Sequence, residues 1–306
     1  GLAVMRLGSN LGYAGGNNQL IDRIVRDGCE YVLVLNPDVR VTKHAIESLL
    51  KHAGSNEPAV LSPVVMRPDG RVSFAGGFFT DEDCCELVHL HDGADPSSIA
   101  SEPYSVDALH GCILFFQSTV WGKVGAIPED FFLYYEETAW CADLRAAGVE
   151  LRVVPSATAV HHKRSHGVKV PSLYYLYYFL RGAFIYARRR NGDCGKVKLR
   201  LQRNFVAPWR EKIGRIAPEF VGIFDRIVAA AIDAGERGEV GRVCIGTMAE
   251  MSIDAERQEG AGNVDAINGD ELLGCAVERG GDGSCEGAAV WLVVDGVSVA
   301  FAAAPV

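Results

Sequence analysis

The chain has 306 residues, 48% of them hydrophobic, with 30 Lys and Arg against 39 Asp and Glu and a formal net charge of −9. That length suits one large α/β domain or two modest ones with a real core, which excludes wholesale disorder. The acidic balance excludes a general nucleic-acid binder, which needs a positive surface to displace counterions.

In chain order, residues 2–7 are expected as a strand and 17–26 as a helix entered through a glycine-rich turn. Tyr31–Leu35 is a continuous apolar run before Asn36-Pro37-Asp38, the pattern of a strand buried on both faces. Thr42 can cap a helix over 43–52, with Glu47 and Lys51 four apart, and 59–61 makes a further short strand. This β-α-β-α-β order predicts a mostly parallel sheet flanked by helices. A Pro-Asp-Gly turn and a Gly-Gly pair within 66–79 predict a hairpin excursion. Then come a strand at 113–116, a short helix from Ser118, a helix over 136–147 closed by Gly148, and a strand at 150–154. Helices are expected over 173–190, 199–213 and 220–234. Residues 288–302 alternate around Asp295-Gly296 as a hairpin.

The net charge belongs to the end of the chain. From Arg237 onward there are 4 basic and 12 acidic residues, leaving 26 and 27 in the first 236. Nine scattered cysteines with no Cys-x-x-Cys pair support neither a zinc ribbon nor a redox site, and suit a reducing cytosol. No uninterrupted apolar run reaches about 18 residues; the Tyr-rich stretch 173–187 is broken by Arg181. The chain opens on its first strand with no leader before it, and Met5 is its first methionine, so N-terminal material is expected to be missing.

Three constellations could carry chemistry. Asn10-Leu-Gly-Tyr-Ala-Gly-Gly-Asn-Asn18 follows a strand and opens a helix, where glycines let backbone approach a ligand; a plain glycine-rich turn is the alternative. Asn36-Pro37-Asp38 stands at the carboxyl end of a buried strand, where a carboxylate can meet a metal or sugar, or simply cap a turn. Phe131-Phe-Leu-Tyr-Tyr-Glu-Glu137 places two acids after an apolar run. Partial desolvation makes such a carboxylate a natural general base, although acids in a first helical turn also complement the dipole. His161, His162 and His166 offer imidazoles, a weak signal for a metal. Asp81-Glu-Asp83 is expected as a solvated acidic turn.

Together with Leu35-Asn-Pro-Asp-Val39, Gly111-Cys-Ile-Leu, Val124-Gly125, Trp140-Cys141 and Pro155…His161, these pieces resemble family 2 glycosyltransferases of the GT-A fold, in the bacterial rhamnosyltransferase-like branch, over about residues 2–190. The resemblance implies a Rossmann-like α/β sheet lacking its first strands, with C-terminal helices and a Gly/Ala/acidic tail. It implies an inverting transfer from a nucleoside-diphosphate-sugar, such as dTDP-rhamnose or a UDP-sugar, to a saccharide or lipid-linked glycan acceptor in cell-surface polysaccharide or glycolipid synthesis.

Position by position, it implies Glu137 as catalytic base with Glu136 beside it. Asp38 and His161 would hold Mg²⁺ or Mn²⁺, with His162 the fallback. Asn10, Gly12, Asn18, Asn36, Asp38 and Gly111 would line the nucleotide sugar. The departures are Ala139 where the family has an acid, Asp143 where it has an Arg, Glu137 in place of Asp, and Arg181-Gly182 in place of Arg-Asn. The missing start implies an incomplete donor pocket, so that this chain alone binds donor weakly or is inactive. The alternatives are a non-catalytic glycan- or nucleotide-sugar-binding relative and a nucleotidyltransferase.

The expected organisation is a catalytic domain at 1–170, a basic helical region at 171–236 and an acidic tail or accessory segment at 237–306. Eleven Lys and Arg against two acids between Arg181 and Arg215 suit either a solvated helix face or peripheral contact with anionic lipid at the inner face of the membrane, in an otherwise cytoplasmic protein.

Overall fold

The computed structural model describes residues 4–7, 9–53, 57–162 and 171–243, together with strand segments at 266–268, 271–273, 277–279, 285–294 and 297–302. His166 and the Asp295-Gly296 turn lie outside the described residues. The elements are β1 (Val4–Arg6), α1 (Gly12–Arg26), β2 (Tyr31–Leu35), β3 (Val39–Thr42), α2 (Lys43–Ala53), β4 (Ala59–Met66), β5 (Val72–Phe74), β6 (Gly77–Asp81), β7 (Glu86–His89), β8 (Tyr104–Ser105), β9 (Ile113–Gln117), α3 (Ser118–Val124), α4 (Glu136–Ala146), β10 (Glu150–His161), α5 (Leu173–Arg189), α6 (Cys194–Leu201), α7 (Ala207–Ile216), α8 (Val221–Arg237), β11 (Ala266–Asn268), β12 (Glu271–Leu273), β13 (Val277–Arg279), β14 (Cys285–Val294) and β15 (Val297–Ala302).

The main sheet runs β11-β12-β3-β10-β4-β9-β2. It is mixed, and the expected parallel character is present only in part: β10 pairs β4 in parallel, while β9 lies antiparallel between β4 and β2. β2, β4 and β10 therefore share one direction. The chain reaches β9 through the long excursion of β5 to β8, which lets β9 enter the sheet from the opposite end. β4 is buried along its whole length and β2 along all but its first residue, as strands covered on both faces by helices must be. The hairpin at the end of the chain forms as β14 and β15, with Val294 opposite Val297.

Several boundaries differ from expectation for local reasons. Helix α1 starts at Gly12 rather than at residue 17, because Asn10 Oδ1 accepts from Gly12 N–H at 2.9 Å and turns the chain at once. β10 carries the strand expected at 150–154 on to His161, its register shifting between Val154 and Thr158 beside Pro155. Thr42 caps α2 through Ala45 N–H at 3.1 Å as expected, but the ion pair on that helix is Lys43–Glu47. The helix expected at 199–213 begins at Cys194, capped by Asp193, and carries a π turn at Gln202–Val206 between α6 and α7.

A second core lies under the C-terminal helices, where Leu176, Leu180, Phe184, Phe224, Ile227 and Ala231 bury α5 against α8. Among the described residues no helix is long and apolar enough to cross a membrane. The six cysteines with described side chains are free thiols.

Candidate active site

Because β2, β4 and β10 run one way, their carboxyl ends share one edge of the sheet, and the antiparallel β9 begins there. Such an edge is where ligands collect in open α/β sheets. Leu35 pairs Ile113, so the next residue, Asn36, donates its N–H to Cys112 O at 2.8 Å, beside Gly111. Asp38 follows, and the chain returns as β3, whose Val39 pairs His161 at the end of β10. This register leaves His161 Nε2 3.1 Å from Asp38 Oδ1. The His161 ring meets the Asp38 carboxylate; His162 meets Asp38 through its backbone, donating N–H to the carbonyl at 2.7 Å. His110, which sequence reasoning missed, stands beside them with its ring 5.7 Å from that of His161.

The two acids enter from a strained loop. Phe132, Tyr134 and Tyr135 all have left-handed backbone, with φ of 68°, 66° and 73°, a conformation that costs bulky residues of order 1 kcal/mol or more each and persists only where the surroundings hold it. Three contacts hold it here. Tyr13 N–H donates to Phe132 O at 3.1 Å. The buried Arg181 donates to Phe131 O at 2.9 Å and to Gly241 O at 2.6 Å. Gly182 leaves room for the Tyr135 ring, which a side chain there would strike at 2.8 Å. The departure of Arg181-Gly182 from the family pair thus has a local purpose: Gly182 admits that ring.

Helix α4 begins at Glu136, so both acids sit in its first turn. Glu136 is 2% exposed, with Oε2 buried and unpartnered. Burial, and then the neighbouring Glu137, pushes its carboxyl well above the ordinary carboxylate range. Glu137 is half-buried and lies over Gly111, where a Cβ would come 3.2 Å from that of Glu137. Tyr13 OH donates to Gly111 O at 2.5 Å and ties α1 to this point. Of the two acids, Glu137 is the one a substrate can reach.

The glycine motif braces the chain around it. Asn18 is buried, donating to Ile127 O at 2.9 Å and Glu129 at 2.8 Å and accepting from Ile127 N–H at 3.0 Å. Its amide is spent on the chain leading to the loop, so its expected contact with nucleotide finds no free group. Asn10 Oδ1 accepts from Gly12 N–H just ahead of α1, and Gly12 packs under Phe132.

Asp81-Glu82-Asp83 is not merely a solvated turn. Asp81 pairs with Lys196, which holds its carboxyl below the ordinary range. Glu82 meets Arg145 at 3.1 Å and Arg190 at 3.3 Å. Asp143, the other departure, pairs with Arg189 at 3.1 Å and so links α4 to α5. Ala139 is buried in the C-terminal core.

Asp38 and His161, both of metal-ligand type, meet as a close pair at this edge. Among the described residues no group of three or more His, Cys, Asp or Glu that could hold a metal ion comes together. A separation of 3.1 Å matches the roughly 3 Å between adjacent ligands of an octahedral ion with bonds of about 2.1 Å. Asn36 Oδ1 and His161 Nδ1 are each buried without a hydrogen-bond partner, polar atoms that a bound ligand or water would satisfy.

No family model matches the chain. It is 28% identical over 182 residues to the low-salt glycan biosynthesis hexosyltransferase Agl10 of Haloferax volcanii, covering 58% of this chain and 57% of that protein. It is 29% identical over 181 residues to N-acetylglucosaminyl-diphospho-decaprenol L-rhamnosyltransferase of Mycobacterium tuberculosis, covering 51% and 57%. It is 23% identical over 192 residues to dTDP-rhamnosyl transferase RfbF of Shigella flexneri, covering 60% and 62%. Among solved structures, GalNAc-T7 with UDP, GalNAc and Mn²⁺ aligns over 52% of this chain and 31% of that one, with 14% identity and a TM-score of 0.39.

The chain is a relative of rhamnosyltransferase-like glycosyltransferases, as its motifs implied. It spans 57% of the length of the first two relatives.

Proposed function

We propose that the chain transfers a sugar from a nucleoside diphosphate to a hydroxyl of a saccharide or lipid-linked glycan, with inversion at the anomeric carbon. The observation that carries this is the meeting of two pairs on one sheet edge: Asp38 against His161, and Glu137 over Gly111. In this reading Glu137 takes the acceptor's hydroxyl proton as the new C–O bond forms, and the old C–O bond breaks with its electron pair leaving on the diphosphate. Asp38 and His161 would hold Mg²⁺ or Mn²⁺, whose charge neutralises that leaving group. Asn36 Oδ1, buried without a partner, would be a further acceptor for donor or ion. Glu136, buried in the first turn of α4 with its carboxyl pushed up by burial, is left out of the proton transfer. One displacement needs no protein nucleophile. The relatives' named chemistry, hexosyl and rhamnosyl transfer to glycans and to a diphospho-decaprenol, supports both the donor and the acceptor class.

The helices past the site support peripheral contact with anionic lipid. Between residues 194 and 216 there are seven Lys and Arg against one acid, and Leu199, Ile216 and Phe220 are exposed, the makings of an interfacial surface.

The test is release of nucleoside diphosphate from a panel of sugar donors at millimolar concentration with Mn²⁺ or Mg²⁺. Glu137→Gln should abolish release and leave donor binding intact, whereas Asp38→Asn should weaken both metal and donor. Parental release by Glu137→Gln would sink the assignment of the base, and donor binding without any turnover would favour the non-catalytic alternative.

A further inference from the structure

Helix α8 closes on Gly238, whose left-handed backbone has φ 78°, and the residues that follow turn back onto the start of the loop that carries the two acids. Gly241 N–H donates to Asp130 O at 2.6 Å. Gly241 O accepts from Arg181 at 2.6 Å, and the same guanidinium donates to Phe131 O at 2.9 Å. The Arg242 guanidinium stands 5.9 Å over the Phe132 ring. Val243 N–H donates to the Tyr178 hydroxyl at 3.0 Å, and the Tyr178 ring lies 5.0 Å from that of Phe132. Residues 238–243 thus reach Asp130 and Phe132 directly, and Phe131 through the Arg181 side chain of α5.

Little of this segment is buried. Glu239, Val240 and Arg242 are exposed, so hydrogen bonds and one cation–π contact hold it, and it belongs to the part of a structure that opens at small cost. What it holds is strained: Phe132, Tyr134 and Tyr135 have positive φ, which bulky residues keep only while their surroundings enforce it. We infer that residues 238–243 are a strap that sets the loop before Glu137, with Gly241 and Arg242 as positioning residues for the transfer. With the strap closed, the loop is held and Glu137 stands over Gly111. With the strap open, the loop relaxes toward ordinary backbone and carries Glu137 out of place, while the core between α5 and α8 stays packed. The strap touches neither Asp38 nor His161, so it acts on turnover rather than on donor binding. The inference rests on the glycosyl-transfer reading and adds a control of its rate from beyond α8.

The experiment uses Gly241→Pro in the full chain, since proline has no N–H to give Asp130 and cannot adopt the φ of +73° found there. In nucleoside diphosphate release, kcat should fall at least ten-fold while KM for the donor stays within about three-fold, because a displacement of about 1 Å at a reacting group can cost about 100-fold in rate. Gly241→Ala keeps the amide, and no atom lies within 4 Å of its added Cβ, so it should recover most of the lost rate. Peptide hydrogen exchange is read on the same proteins: in Gly241→Pro, residues 130–137 should exchange at least ten-fold faster, with β4 unchanged. A parental kcat in Gly241→Pro, or equal acceleration of the loop and β4, overturns the inference.

Hydrogen exchange of the unmutated chain in low urea serves even if a variant unfolds. Residues 238–243 and 130–137 should lose protection together, at lower urea than β4, and independent opening of the two segments overturns the strap. Exchange needs no donor, so joint opening in a chain that turns over no donor supports the hold of the strap on the loop while the transfer reading fails. Donor turnover that is indifferent to Gly241→Pro overturns the strap alone.

Discussion

Gly12→Ala tests the coupling between the glycine motif and the loop before Glu137. Gly12 has φ +75°, and a Cβ there would lie 2.2 Å from the Phe132 carbonyl oxygen and 2.8 Å from Cδ2 of its ring. The backbone term alone, alanine at positive φ, costs about 1 kcal/mol. The steric term is larger, since a carbon and a carbonyl oxygen approach comfortably only to about 3.3 Å, so the loop must retreat by roughly 1 Å. That retreat weakens the Tyr13–Phe132 hydrogen bond, worth about 1 kcal/mol, and loosens three left-handed residues. The total is about 3 kcal/mol.

The loop runs straight into Glu136 and Glu137, and a displacement of about 1 Å near reacting groups can cost about 100-fold in rate. Gly28→Ala is the internal control. Its φ is +79°, but no atom lies within 4 Å of the added Cβ, so only the term of about 1 kcal/mol applies. Urea midpoints and nucleoside diphosphate release measured on both variants separate the terms. If Gly12→Ala loses no more stability than Gly28→Ala and keeps the parental rate, the loop does not depend on that close approach.

Three further outcomes follow from the same geometry. The folded state keeps a proton on Glu136 that the unfolded chain releases above its ordinary carboxylate pKa, so this residue's contribution is greatest at low pH and declines as pH rises through the folded value, by at most about 1.4 kcal/mol per unit. Glu136→Gln should therefore flatten the stability profile between pH 5 and 8, and parallel urea profiles for variant and parent would contradict this. Arg181→Met removes the donors to Phe131 O and Gly241 O and should cost about 2–3 kcal/mol. Arg181→Lys should fail to restore it, because one ammonium cannot reproduce the fork; full rescue in thermal melts would refute the role. The chain should co-sediment with liposomes containing anionic lipid and not with neutral ones, releasing as salt is raised, whereas equal sedimentation with both would argue for a merely solvated basic face.

Sequence alone determined the main strands and helices, since β2 and α4 announce themselves through a continuous apolar run and through a helical segment closed by glycine. It also determined the kinship, because the order of Asn10–Asn18, Asn36–Asp38 and Phe131–Glu137 is a one-dimensional signal. What it could not carry was direction and depth. Whether β9 lies parallel or antiparallel depends on the route of a long excursion, and that direction is what brings Gly111 beside Asn36. Which of two adjacent acids is buried depends on packing around α4, so Glu136 and Glu137 look alike as letters and differ as chemistry. Asn18 and Arg181 read as candidate ligand and basic helix residue, yet their hydrogen bonds go to backbone far along the chain. Asp38 and His161 come within 3.1 Å only because β3 and β10 pair in one register, and a register is a property of the folded sheet, set by strand pairing distant in sequence.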